Sequence, residues 1–254
     1  MTIYSDEEKT QKEHFDNIAD NYERHYSDHW SQVYRHRFLN KPMFEGIDLC
    51  GKKVLDAICG NGETTGFLVK NGAQVTGLDI SSGTIKNYQK KWPQCETKCA
   101  SILETGFADN HFDCVVVVGG LHHLHPYVSD AVTEIYRVLK PGGYFCFVEP
   151  HKGSLPDNIR QLWYKRDKLF ASNEEAVDVE GLKENFSDKF NFRKQKFVGN
   201  LAYIFVLNSM ILRMPLQFKK IYAPILLVVE ALFGWMQGRT LSCVVVGQWK
   251  KLGP

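Results

Sequence analysis

Short apolar runs and longer amphipathic stretches alternate along the middle of the chain. Residues 53–56 read as a strand that ends in an acid, and a glycine-rich turn leads from it into a helix over 63–70. Residues 73–79 read as a second strand, again ending in an acid, and Ser81 and Ser82 offer a cap for a helix reaching residue 91. A third strand is expected over 95–101. The run 112–118 is almost uninterruptedly apolar, the pattern of a strand buried on both faces of a parallel sheet. Residues 127–139 have helical spacing. Lys140-Pro141-Gly142-Gly143 stops that helix, because proline cannot continue it and the glycines allow the turn. The fifth strand follows over 144–148, just before Glu149. Strands that alternate with helices imply an α/β fold with a doubly wound, mostly parallel sheet and right-handed crossovers. A ligand of such a sheet lies beyond the carboxyl ends of the strands. Asp56, Asp79, Ser101, Gly119 and Glu149 all fall at those ends.

The flanks read differently. Residues 5–25 suggest a polar helix with one apolar stripe, Phe15, Ile18 and Tyr22, which either packs on the domain or closes over a ligand. After residue 150, helices are expected over 155–171 and 174–185, a sixth strand over 186–198 and a seventh over 241–249. Between these two strands stands an apolar insertion, 199–240, with helical runs over 201–213 and 221–236. Neither run has the roughly 20 apolar residues needed to span a bilayer. Arg213, Lys219, Lys220 and Arg239 flank them. The insertion reads as a buried cap, as a pocket or membrane-surface contact for a lipophilic acceptor, or as a homodimer seam. The chain thus divides into an N-terminal lid (1–40), a core (41–198), the insertion (199–240) and a final strand (241–254).

Composition narrows the functional classes. Over 254 residues, 44% are hydrophobic and 24% charged, ordinary values that exclude extensive disorder. A net charge of +2, with basic residues scattered in ones and twos, argues against a nucleic-acid partner. The seven cysteines form no CxxC pair, which favours free thiols in a reducing cytoplasm and no metal site. The polar, acidic N-terminus is unlike a signal peptide. A cytoplasmic protein, or one peripheral to a membrane, is expected.

The chemistry is concentrated in a few motifs. Val54-Leu55-Asp56-Ala57-Ile58-Cys59-Gly60-Asn61-Gly62 is an apolar strand, an acid and a glycine-rich loop. Asp79 lies at the end of the next strand, where a carboxylate can accept two hydrogen bonds from a ribose diol. Further on, Phe107-Ala108-Asp109-Asn110-His111-Phe112-Asp113 leads into the fourth strand and Leu121-His122-His123-Leu124. Glu134-Ile135-Tyr136-Arg137-Val138-Leu139-Lys140-Pro141-Gly142-Gly143 follows.

In order and spacing, residues 52–150 resemble the class I (Rossmann-like) S-adenosylmethionine (SAM)-dependent methyltransferases, in particular the common small-molecule methyltransferase domain. The resemblance implies a seven-stranded, mostly parallel sheet with an antiparallel last strand, the helical insertion preceding that strand. It also implies SAM as cofactor. Gly60 and Gly62 would border its methionine part, Asp56 its ammonium end and Asp79 its ribose. Tyr22, Ile58, Asn61, Ile80, Ser101, Ile102, Gly119 and Leu121 complete the implied cofactor surface. Two positions depart from the family pattern. Ile58 stands where the family usually has a glycine, and would crowd the ligand if its backbone took φ > 0. Ser101 replaces a frequent acid, which leaves Ile102 to pack on the adenine.

A sulfonium-bound methyl is already activated, so an enzyme of this kind mainly aligns nucleophile, methyl and sulfur. A hydroxyl acceptor also needs a base. His122 or His123 can serve, paired with Glu149, as in similar sugar and natural-product methyltransferases. The expected activity is methyl transfer to a small molecule at oxygen: a sugar, a lipid or lipid-linked saccharide, or a secondary metabolite. The rival reading is a non-catalytic protein of the same fold, serving as partner or scaffold.

Overall fold

The computed structural model describes residues 25–164 and 174–253, and the expected helix with Phe15, Ile18 and Tyr22 lies outside them. Seven strands form one sheet: β1 (Lys53–Ala57), β2 (Gln74–Asp79), β3 (Glu96–Cys99), β4 (Phe112–Val118), β5 (Leu139–Pro150), β6 (Phe190–Val198) and β7 (Val244–Lys251). Their order is β3-β2-β1-β4-β5-β7-β6. The first five run parallel, and β7 is antiparallel to both its neighbours. The order reverses between β1 and β4, which is where a doubly wound sheet opens a crevice.

The two-residue period of the strands sorts their side chains onto two faces. Val54, Val116, Cys146, Val148 and Val246 belong to one apolar cluster, and Leu55, Val115, Val117, Phe145, Phe147 and Trp249 to the other. Helices cover both faces. On the first lie α1 (His29–Tyr34), which continues through residue 43 as a π-helical stretch and a last turn, α2 (Thr65–Lys70) and α3 (Ser82–Lys91). On the second lie α4 (Val128–Val138) and α6 (Val179–Asn185), with α5 (Leu155–Tyr164) beyond the end of β5.

Three expectations are corrected. The helix expected over 174–185 begins only at Val179, where Asp178 accepts the Gly181 N–H at 3.1 Å. Residues 174–178 instead lie extended against the end of β5, with Val177 N–H donating to the Pro150 carbonyl at 2.9 Å and Lys152 N–H to Val177 at 3.1 Å. The apolar run from residue 201 is π-helical over Tyr203–Leu207 and ends at Arg213, whose φ of +53° breaks the helical path. The second apolar helix, α7 (Leu216–Leu232), starts five residues earlier than expected, because Pro215 has the extended backbone of an N-cap (φ −65°, ψ 124°).

Two buried charges fix α7 on the fold. Lys219 is 1% exposed, and its ammonium donates to Asp28 Oδ2 (2.5 Å), Ser31 Oγ (2.7 Å), Ser209 Oγ (3.1 Å) and the His25 carbonyl (3.2 Å). Glu230, also 1% exposed, accepts the N–H groups of Asn200 (2.8 Å) and Ala202 (2.9 Å), the Tyr34 hydroxyl (3.2 Å) and the Gln237 amide (3.2 Å). Buried charges persist when paired and hydrogen-bonded in this way.

Candidate active site

The turn after β1 carries three left-handed residues in five positions: Ile58 (φ +55°), Gly60 (+53°) and Gly62 (+78°). Glycine adopts that region freely, whereas a β-branched residue there is strained, at a cost of about 1–3 kcal/mol. The strain persists because the loop is over-determined. Cys59 N–H donates to the Leu78 carbonyl (3.0 Å) and Gly62 N–H to that of Cys59 (2.9 Å). The Ile58 side chain occupies the space that Gly120 leaves open. A Cβ at residue 120 would stand 2.8 Å from Ile58 Cδ1. The isoleucine is therefore folded over β4 and lines the cavity as an apolar wall.

That cavity lies beyond the ends of β1, β2 and β4. Asp56 is buried at its base and accepts the Thr65 hydroxyl at 2.6 Å. Burial pushes its pKa up to about 7 against the Thr65 hydrogen bond. Asp79 accepts the N–H groups of Gly60 (3.1 Å) and Ser81 (2.9 Å), one on each oxygen. Asp79 lines the cavity, and a carboxylate is a group that accepts hydrogen bonds from ligand hydroxyls. Ile80, Ser101, Ile102 and Leu103 form the far wall, where the Ser101 hydroxyl accepts the Leu103 N–H at 3.0 Å. Asn61 and Gly119 line the cavity too. Gly62 and Leu121 do not. Gly62 makes room for Trp92, whose Nε1 would lie 2.3 Å from a Cβ there, and Leu121 is buried in the core below. Tyr22 lies outside the described residues.

Three polar atoms around this cavity, Arg35 Nε, Asn61 Oδ1 and Glu63 Oε1, are shielded from solvent and have no hydrogen-bond partner among the described residues. Buried polar atoms are satisfied in native proteins, by protein, water or ligand. Two acceptors and a cationic donor form the complement of an α-amino acid zwitterion, with its ammonium and its carboxylate. The residues present therefore fit the methionine part of SAM, and Asp79 fits its ribose.

A second, larger cavity of about 370 Å³ adjoins the first beyond the ends of β4 and β5. Its walls are largely apolar, with Leu39, Val148, Ile159, Trp163, Tyr203 and Leu207 among them. Arg35, Val118, Gly119 and His123 line both cavities, so the two meet at the end of β4.

His122 faces the second cavity. Its Nδ1 lies 2.9 Å from Glu149 Oε2, and Glu149 is wholly buried. The N–H groups of Gly120 and Leu121 donate to Glu149 Oε1 (both 2.8 Å), and that of His122 to Oε2 (3.4 Å). With the backbone donating, the carboxylate is the acceptor and His122 Nδ1 the donor, which leaves Nε2 with its lone pair. Burial drives His122 well below its ordinary pKa and pushes Glu149 up to about 7 against its backbone donors. A neutral histidine held by a carboxylate is equipped to take a proton. His123 stacks on His122, ring centroids 3.9 Å apart, and its Nδ1 lies 3.4 Å from Glu174 Oε1. His122, His123 and Glu174 are the one group among the described residues whose ligand-capable atoms lie close enough together for a cation, within 4.8 Å. His151, by contrast, turns away to the Ser242 carbonyl at 3.1 Å.

Arg35, Glu63 and Glu174 escape the sequence reading. Glu63 adjoins the glycine loop and was within reach of that argument. Arg35 sits in a polar helical stretch with no motif to mark it, and Glu174 was assigned to a helix that starts later.

Comparison with known proteins agrees with the family resemblance and the fold. A family profile described as "Methyltransferase domain" matches residues 55–147. The chain is 35% identical over 119 residues to an uncharacterised methyltransferase of Synechocystis sp., covering 46% of this chain and 56% of that protein. It is 37% identical over 161 residues to the demethylmenaquinone methyltransferase of Lactiplantibacillus plantarum, covering 59% of this chain and 65% of that one. These two alignments span just over half and just under two thirds of the relatives' lengths. With the demethylmenaquinone methyltransferase of Staphylococcus epidermidis it shares 30% identity over 213 residues, 78% of this chain and 85% of that one. Among solved structures, a possible histamine N-methyltransferase of Thermotoga maritima has the same fold, with a TM-score of 0.64 at 15% identity, covering 94% and 99% of the two chains.

Proposed function

The chain belongs to the class I SAM-dependent methyltransferases, and from that premise we propose that it methylates a lipophilic, hydroxylated ring compound of the quinol class at a ring oxygen. The observation that carries this reading is the junction of the two cavities at the end of β4, with the His122–Glu149 pair on the acceptor side. SAM supplies, when bound, a methyl group activated on a sulfonium. The chain's own groups do the rest. Arg35, Asn61 and Glu63 hold the amino-acid end, Asp79 the ribose, and Ile58, Ile80 and Ile102 the apolar surroundings of the adenosine. The apolar walls of the second cavity receive the acceptor and exclude water. His122 Nε2 takes the hydroxyl proton as the oxygen attacks, and Glu149 stabilises the imidazolium that forms. Positioned general bases of this kind contribute about 10²–10⁴ in rate.

The quinol class is supported by the apolar lining and by the relatives named for demethylmenaquinone. Deprotonating a ring hydroxyl also raises electron density on the adjacent ring carbon, so methylation at carbon is the second reading. Incubation with methyl-labelled SAM and a short-chain naphthoquinol, followed by product analysis, separates the two. Label on oxygen is the expected outcome, label on carbon selects the second reading, and transfer only to sugars or amines overturns both. Repeating the assay after chelation tests whether His122, His123 and Glu174 act without a cation. Unchanged turnover is expected.

A further inference from the structure

Helix α7 is turned inside out. Its two charged groups inside the fold, Lys219 and Glu230, point inward with Ala223 and Leu227. Its outward residues are Phe218, Ile221, Ile225, Val228 and Leu232, at spacings of three and four that make one stripe about 21 Å long. Ile221 and Ile225 are each 63% exposed. The stripe runs on into Phe233, Trp235 (79% exposed) and Met236, then Leu241. There the chain touches α5, through the Leu155 N–H to the Thr240 carbonyl at 2.9 Å. Helix α5 in turn exposes Leu155, Ile159 and Leu162. Ile159, 65% exposed, also lines the acceptor cavity, so that cavity opens on this surface.

The charges of the surface have one sign. Between residues 189 and 254 the sequence has ten lysines and arginines and a single acid, Glu230, which is buried. Within 151–163 the single acid, Asp157, is also buried, paired with Arg160 at 2.5 Å. The exposed charges of these two segments are Lys152, Arg193, Lys196, Arg213, Lys220 and Arg239, all of them cations. No helix among the described residues is long and apolar enough to cross a membrane. An apolar stripe that, among the described residues of these segments, is edged by cations complements a layer of anionic headgroups over hydrocarbon, to which each nearby Lys or Arg adds electrostatic attraction. A protein partner or a second copy would need acids on the facing surface, and the described residues of 151–163 and 189–253 expose none.

We propose that α7, the turn after it and the outer face of α5 form a docking surface for an anionic bilayer, onto which the acceptor cavity opens. The docking stands on this geometry alone, and only the delivery of a lipid-dissolved acceptor rests on the reading given above. Co-sedimentation of the full chain with phosphatidylcholine vesicles, with and without phosphatidylglycerol, tests it. Binding to the anionic vesicles, weakening as salt is raised, is expected. Ile225→Glu with Val228→Glu should weaken that binding by at least about tenfold. Calorimetric SAM binding and thermal unfolding of that variant should match the parent, since both side chains face solvent. Absence of binding at low salt overturns the proposal, as does equal binding by the variant. So does a parent dimer that the double substitution splits, which would make the stripe a seam between copies. Vesicle binding is read without any acceptor, so failure of the quinol assay leaves it intact.

Discussion

The cofactor crevice and helix α7 both bury charged groups, and they treat them in opposite ways. Around the crevice, Arg35 Nε, Asn61 Oδ1 and Glu63 Oε1 are shielded from solvent yet lack partners among the described residues. On α7, Lys219 has four acceptors and Glu230 four donors. Among the described residues the first set is incomplete and the second is complete. Buried alike, the two sets differ in how far their hydrogen bonds are satisfied.

The strongest way to break this comparison is at the base. His122→Asn is expected to lower kcat by about 10²–10⁴ while SAM affinity stays within a few fold, since His122 faces the acceptor cavity alone. The parent enzyme should lose activity below an apparent pKa near 7, as Glu149 gains the proton that its pairing with His122 must do without. A pH profile flat from 5 to 8 would remove that assignment. Next in size is Glu230→Ala. It strands two backbone N–H groups and the Tyr34 hydroxyl, and should destabilise the fold by about 3 kcal/mol in a urea titration. A loss below about 1 kcal/mol would show that these groups find other partners.

Arg35→Met is the complementary test. It should weaken SAM binding by roughly 10–100-fold, as expected for hydrogen bonds from a charged group, and leave stability unchanged or slightly higher. Large destabilisation by that variant would place Arg35 with the bracing groups. The smallest effect belongs to the loop. Gly120→Ala should destabilise the parent by about 1–2 kcal/mol and cost less in an Ile58→Gly background, a coupling that a double-mutant cycle measures. Additivity would mean that the two side chains do not share their space.

The sheet was legible because its signals are local and redundant. Asp56 and Asp79 end apolar runs, glycines follow the first of them, and β4 is apolar throughout. The pairing of Glu149 with a histidine was legible through the resemblance to methyltransferases with an acid after the fifth strand, and only the structure singles out His122 as the partner. Arg35 was not, because a cation in a polar helix has no periodic mark, and only its depth in the fold sets it apart. The facing of α7 was hidden for another reason. A helix apolar on all sides yields no moment from which to choose a buried face. The charges held the answer, since residues 219 and 230 are eleven positions apart, close to three helical turns, and so share a side. The extended path of 174–178 comes from pairing with Pro150 and His151, remote partners that no local pattern announces.

Lys219 has a mechanical meaning as well. Asp28, which grips its ammonium, also caps α1 by accepting the N–H groups of Trp30 and Ser31, and α1 runs directly into Arg35. The outer helix and the arginine between the two cavities therefore hang on one rivet and one short, stiff strut. A load that lifts or tilts α7 while the rivet holds is carried along that strut to the place where the two cavities meet.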